Sequence, residues 1–518
     1  MRKRIQRSTA TATALMVGAA ILVGACSSGE DSASVTERTA DSEQAATAQP
    51  ADEQTAGAQD APTDAEAGNP ADDTAESSAA PMAEQDAEQN AAAPDLTSAP
   101  VPPAVLGALL SVSELKVTPG DPESNDEFAW SLAIGGNTLM SGSPLSDDNG
   151  GNSGTAYVFN WDGAAWIEST KLAADDGREG DWFGKSVAVS GDTAVVGANL
   201  DDGPLRDGFY DDDTGSAYVF QREQGPDGEV WRQTAKLRAD LQIEWSEFGF
   251  DVEIDGDTIV VSAWHDPTAG FNTGAVYVFR RDGEGWAQEA QLLPGDSDDA
   301  DEFGIDIAID GDTILVGTPR DDENGPDAGA VYVFRRVGGV WSQEAILRTP
   351  DSSEGDDFGW SVALDGDRAL IGAPFHDGDE LDAGGAYIFE RNGNTWSEAQ
   401  RLLPRDPLNG AWFGRAVGIA GEFLVVGAPR FDRITADGIA NELFNIGVSY
   451  VFHRGEEGWV QIAQLRADDA GEGDDFGWTV AMTEEIVIVG AWLDDTEAGV
   501  DTGSLYSFVV PTRAGGGS

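Results

Sequence analysis

The pair Phe-Gly returns at near-constant spacing through this 518-residue chain, and a repeat that regular restricts the fold to copies of one unit packed on each other. The pairs are Phe183-Gly184, Phe248-Gly249, Phe303-Gly304, Phe358-Gly359, Phe413-Gly414 and Phe476-Gly477, with a seventh copy at Phe128-Ala129. Successive phenylalanines lie 55, 65, 55, 55, 55 and 63 residues apart, so insertions follow only the second and sixth markers. Each unit is a supersecondary element too small to bury its apolar side chains alone.

The unit starting at Phe303 contains four strand-like runs: FGIDIAI, TILVGTP, GAVYVFRR and WSQEAILR. Gly-Asp and similar pairs punctuate them. The second and third runs are apolar on both faces, as strands between neighbouring sheets must be, whereas the fourth alternates and reads as an outer, half-exposed strand. Four short antiparallel strands repeated seven times predict an all-β, seven-bladed propeller over residues 105–511, with 512–518 as a flexible tail. The last unit lacks its Trp-led fourth strand, and an orphan run, Ser113-Glu114-Leu115-Lys116-Val117, precedes the first marker. That run is expected to complete the last blade and close the ring, which removes the exposed strand edges. The fourth-strand tryptophans Trp166, Trp231, Trp286, Trp341, Trp396 and Trp459 recur at packing positions.

The units resemble FG-GAP repeats, the motif of the integrin α-subunit propeller and of many bacterial secreted proteins. The second half of the motif reads Val426-Gly427-Ala428-Pro429 and Ile371-Gly372-Ala373-Pro374, with variants such as Val316-Gly317-Thr318-Pro319 and Val261-Ser262-Ala263-Trp264. The resemblance spans residues 113 to 510. Integrin-type repeats also carry a calcium loop between their first two strands, and here that place holds short turns such as Asp310-Gly311-Asp312-Thr313. The calcium loop is therefore not carried over.

Before the repeats the chain changes character. Arg2, Lys3, Arg4 and Arg7 precede an apolar run from Ala14 to Ala25, too short to span a bilayer and shaped like a signal-peptide core. It ends Val23-Gly24-Ala25-Cys26, which resembles the bacterial lipobox, so residues 1–25 read as a lipoprotein leader and Cys26 as the lipidation site. As the chain's only cysteine, Cys26 leaves no disulfides. Residues 27 to 104 hold seventeen acids, one base and no aromatic residue, a composition that cannot offset its ordering entropy. Residues 26–104 thus read as a disordered acidic linker, spanning about 50 Å as a random coil. An exported, lipid-anchored place at the outer membrane or cell surface follows.

A net charge of −64, with only five lysines, excludes nucleic acid as a partner. In an antiparallel blade the links from strand two to three and from strand four to the next blade share one face, and the acids concentrate there. Candidate metal ligands are Asp175, Asp176, Asp181, Asp296, Asp298, Asp299, Asp301, Asp321, Asp322, Asn324, Asp327, Asp356, Asp357, Asp474 and Asp475. Clustered carboxylates in Gly- and Asn-rich loops suit a hard cation, so calcium is the candidate ion, and no organic cofactor is expected. The same residue types also favour plain turns. Two links break the pattern and supply binding-face candidates: Trp245, and Leu443 with Phe444. His265 and His376 sit at matching repeat offsets, each followed by Asp, which ring geometry keeps apart. No G-x-S-x-G, HExxH or phosphate loop occurs. The reading is a monomeric surface-anchored binding or adhesion module whose acidic face meets an unidentified protein or glycan. Alternatives are a hydrolase or lyase acting at the channel mouth, and a structural envelope protein.

Overall fold

In the computed structural model the chain forms seven four-stranded antiparallel sheets that follow one another as propeller blades, six of them meanders of consecutive strands. The structure describes residues 114–203, 213–226, 228–296, 299–378, 380–432 and 444–510. The leader, Cys26, the linker and the tail lie outside them. Blades are numbered here by their marker phenylalanines, from Phe128 in blade 1 to Phe476 in blade 7.

Blade 3 shows why the sequence folds this way. Its strands are Val252–Asp255, Thr258–Ala263, Ala275–Asp282 and Gly285–Leu292. The second is buried along its whole length and the fourth alternates, as its apolar periodicity requires. The core lies between blades. One cluster joins Ala217, Val219 and Leu237 of blade 2 to Phe248, Val252, Ile259 and Tyr277 of blade 3, and every pair of neighbours repeats it. Phe248 stands at 5.4 Å from the Tyr277 ring and edge-on at 5.9 Å to Phe279, an arrangement aromatic quadrupoles favour.

The two halves of the repeat motif meet in this packing. The Gly184 amide donates to the Gly197 carbonyl at 2.9 Å within blade 2. Gly197 in turn faces blade 3 so closely that a Cβ on it would stand 2.1 Å from the Gly249 carbonyl oxygen. Only glycine permits that backbone approach. Ser262 takes the equivalent place in blade 3, and the junction with blade 4 opens to admit it. A Cβ on Gly304 would meet the Ala275 carbonyl at 3.7 Å, whereas one on Gly184 would meet the Thr155 carbonyl at 2.2 Å.

The ring closes as the orphan run implied. Residues Glu114–Val117 pair antiparallel with the third strand of blade 7, from Glu114 opposite Phe508 to Val117 opposite Leu505. Val117 joins Leu505 of blade 7 and Phe128 and Leu139 of blade 1 in one cluster. The strand also brings a cation. Lys116 Nζ reaches Asp469 at 2.6 Å and the buried Asp494 at 2.7 Å, and lies 5.3 Å from the Tyr506 ring centre. Lys236 does the same in blade 2 with Asp176, Asp201 and Tyr218, so the N-terminal strand supplies the clamp that every other blade takes from its own fourth strand or does without.

Removing residues 111–118 is therefore expected to lower the melting temperature of the whole domain in one transition. Lys116→Met, which leaves the buried Asp494 without its cation, is expected to cost on the order of 2 kcal/mol by denaturant titration. Unchanged midpoints in both would show that the strand does not close the ring.

Candidate functional site

Isolated bridges from Gly154 to Phe183, Gly215 to Phe248 and Gly329 to Phe358 set the two-to-three link of each blade against the link entering the next. The acids accordingly gather on one face. They do not converge there as a calcium cage requires: among the described residues no group of three or more His, Cys, Asp or Glu is placed to hold a metal ion. Most brace the loops that carry them. Asp176 accepts from the Tyr218 hydroxyl at 3.0 Å and from Lys236, and Asp296 accepts from the Tyr332 hydroxyl at 2.9 Å. Asp321, buried, accepts from Tyr332 and twice from Arg348. Asp181, Asp356 and Asp474 each accept a backbone amide three residues before them, at 2.7, 2.8 and 2.5 Å. Asp322 accepts from the Asp327 amide, and Asp299 from the Phe271 amide. Asn324 donates to the Thr349 carbonyl, and the Asp175 amide donates to Gln233. Asp301 is buried and partnered. Asp298, Leu443 and Cys26 lie outside the described residues.

The histidine offsets need correcting. His376 holds the position that Asp201, Asp266, Asp321 and Asp494 occupy in other blades, one residue past His265 in the repeat. It is buried against Asp356, its Nδ1 at 2.8 Å, with Arg401 at its other nitrogen. It replaces a carboxylate that braces a loop.

A crown of residues surrounds the axis, of which the sequence reading singled out only Asp357 and Asp475, as metal ligands. The residue before each marker Phe is Glu127, Trp182, Glu247, Glu302, Asp357, Trp412 or Asp475, and all seven adopt left-handed backbone with φ between 53° and 59°. That turn lets the Trp182 carbonyl accept from the Lys185 amide at 3.1 Å, and it costs of order 1 kcal/mol for a side chain other than glycine. A carboxylate or Trp recurring at a strained position was the available signal. Burial pushes Glu127 up to about 8, with Asp501 adding repulsion. Burial also takes Asp357 to about 8 with help from Asp327, and Glu302 to about 7 against the pull of Arg320. Asp475, likewise raised by burial to about 7 against the pull of Arg430 at 3.6 Å, lies beside the Trp492 indole. At Glu247 burial works in the same direction, but hydrogen bonds from His265, Trp264 and Asn199 outweigh it and hold the carboxyl below its usual range.

Inside the crown the innermost strands surround an axial cavity of about 250 Å³. The second residue after each marker Phe forms its mouth: Trp130, Lys185, Phe250, Ile305, Trp360, Arg415 and Trp478. Lys185 Nζ lies 4.7 Å from the Trp130 ring centre and 4.3 Å from that of Phe250. Arg415 lies 5.3 Å from Trp360 and 4.0 Å from Trp478. One residue further in, side chains latch blade to blade: the Val252 amide donates to Ser186 Oγ, the Ile307 amide to Asp251 and the Val362 amide to Asp306. Glu253 also lines the cavity, at a position where the other blades carry Ala or Gly.

Outside the crown stands a ring of apolar side chains. Phe271, Pro326, Leu381, Phe444 and Val500 occupy one repeat position on five two-to-three links and are exposed, Phe271 by 68 % and Phe444 by 51 %. Each is held firmly, since its carbonyl accepts an amide from the link entering the next blade at 2.8 to 3.0 Å. Trp245, exposed by 57 %, and Leu241 stand on the same face.

The crown acids make stability depend on pH. A carboxyl whose folded pKa is raised binds its proton more tightly folded than unfolded, so stability falls as pH rises from the ordinary carboxylate range through the folded value. Glu127→Gln and Asp357→Asn are each expected to raise the melting temperature by several degrees near pH 8.5 and to change it little near pH 5. Equal shifts at both pH values would contradict the burial of these carboxyls.

Comparison with known proteins places these repeats. The FG-GAP repeat model matches at residues 112–159, 166–220, 231–279, 286–334, 341–389, 396–452 and 459–508. No curated protein matches the chain. Among solved structures, Chaetomium thermophilum Sqt1 bound to the N-terminus of the ribosomal protein L10 is similar at 12 % identity with a TM-score of 0.43, over 71 % of this chain and 84 % of that one.

Proposed function

Since the chain belongs to the FG-GAP repeat family, whose propellers are protein-interaction modules, we propose that it is an exported, lipid-anchored receptor or adhesin whose acidic face docks a basic protein partner. The observation that carries this reading is the ring of Phe271, Pro326, Leu381, Phe444 and Val500, apolar side chains fixed and exposed among carboxylates. Apolar groups supply affinity on losing water, and the acids around them select a partner with a basic rim and speed its approach. Trp245 adds the kind of large, stiff side chain that anchors interfaces. Cys26 and the acidic linker fit the same use, because a lipid-tethered propeller on a long coil sweeps a wide volume for contacts.

The loops at the other end of the blades provide an internal control, for they expose Val337 and Val340 away from the acidic links and the apolar ring. Photo-crosslinking residues placed at Phe271, Leu381 and Phe444 in the full chain on intact cells are expected to capture one protein partner, and those at Val337 and Val340 none. The purified pair is expected to weaken as salt rises and to be disrupted by Phe271→Asp with Leu381→Asp. Equal capture from both faces, capture of glycan alone, or salt-independent binding would contradict the reading.

A further inference from the structure

Three of the four lysines in the described domain are locked to carboxylates: Lys116, Lys171 and Lys236. The fourth is not. Among the described residues the side chains of Lys185 and Arg415 make no hydrogen bond and no ion pair, and they lie against the rings of Trp130, Phe250, Trp360 and Trp478. They belong to blades 2 and 6, nearly opposite across the axis, and Arg415 acts on Lys185 by like-charge repulsion. Burial holds Lys185 down to about 8 and Arg415 to about 10.

Carboxylates do lie nearby, but they are engaged elsewhere. Asp251 and Asp306 are hydrogen-bonded to each other and accept amides of the next blades. Burial, with Asp251 and Asp306 beside it, pushes Glu253 well above the usual carboxylate range. Two cations without ion-pair partners thus face the cavity. The mouth combines a pair of cations without ion-pair partners and the faces of indole rings.

We propose that the axial mouth binds a sugar acid, with its carboxylate between Lys185 and Arg415 and its apolar ring face on the indoles of Trp360 and Trp478. Charge-assisted hydrogen bonds to a carboxylate are the strong ones, and an aromatic face accepts the C–H side of a pyranose. A cavity of about 250 Å³ admits one such residue. The acidic face repels an anion at a distance, but that field is screened beyond about 8 Å at physiological salt, whereas both cations act at contact.

The test is calorimetry and tryptophan fluorescence on the full chain, with glucuronate, its neutral counterpart glucose, benzoate and a galacturonate oligomer as probes. Glucuronate or the oligomer is expected to bind saturably, and glucose and benzoate at least about tenfold more weakly, since each lacks half of the recognised chemistry. Binding by glucuronate identifies a free sugar acid as sufficient, and binding by the oligomer alone identifies a polymer end. Lys185→Met and Arg415→Met are each expected to weaken binding about tenfold with the melting temperature retained, and Lys185→Arg to keep it. No saturable binding of either acid up to about 10 mM, equal binding of glucose, or undiminished binding by both Met variants would overturn the proposal. None of these outcomes bears on the docking face, which uses other residues.

Discussion

Backbone meets backbone between the blades at the motif glycines, and the rest of the molecule depends on that contact. Gly197 approaches the Gly249 carbonyl more closely than any side chain allows, and Gly142, Gly317, Gly372 and Gly427 make the same approach at other junctions. With the strands so near, each marker Phe reaches the tyrosine and phenylalanine of its own blade's third strand, and the apolar clusters fill the wedges between blades. The interblade amide latches at Ser186, Asp251 and Asp306 are within reach for the same reason. Ser262 shows the tolerance of the scheme: one junction opens slightly, and the Ser262 hydroxyl accepts the Asp251 amide in return.

Charge is distributed by role. A chain with 94 acids and 30 bases places its few described lysines at positions where each answers a specific partner: three clamp Tyr–Asp pairs at blade edges, and Lys185 stands on the axis. Most acids of the exposed face are held by amides, hydroxyls or cations of their own loops, which keeps the apolar ring and the crown in fixed positions. Two concentric features result on one face, an outer apolar ring suited to a macromolecule and an inner mouth suited to a small anion.

Much of the fold was legible in the sequence because repetition fixes register. The markers gave seven blades, the strand periodicity gave which strands are buried, and the missing fourth strand of blade 7 pointed to Glu114–Val117. The gathering of acids on one face also followed from strand order alone. What ring geometry decides was not legible. Neighbours across the axis, such as Lys185 and Arg415, lie 230 residues apart and share only a repeat position. The crown was hidden because its left-handed backbone is set by a turn whose amide partners come from the previous blade, as with the Asp357 amide on the Asp327 carbonyl. The matching offsets read for His265 and His376 failed by one residue: counted from its marker Phe, His376 sits where Asp201, Asp266, Asp321 and Asp494 sit in other blades, and the hydrogen bonds show that it braces the loop in their place.

The most direct test of this account is the unfolding free energy of Gly197→Ala, a change that adds one methyl group at a position whose only fault is the nearness of the next blade. Forcing that methyl against the Gly249 carbonyl is expected to cost about 3 kcal/mol or more, in a single cooperative transition, because one opened junction weakens the closed ring. A variant that unfolds within about 0.5 kcal/mol of the natural chain would show that the motif glycines do not hold the blades together.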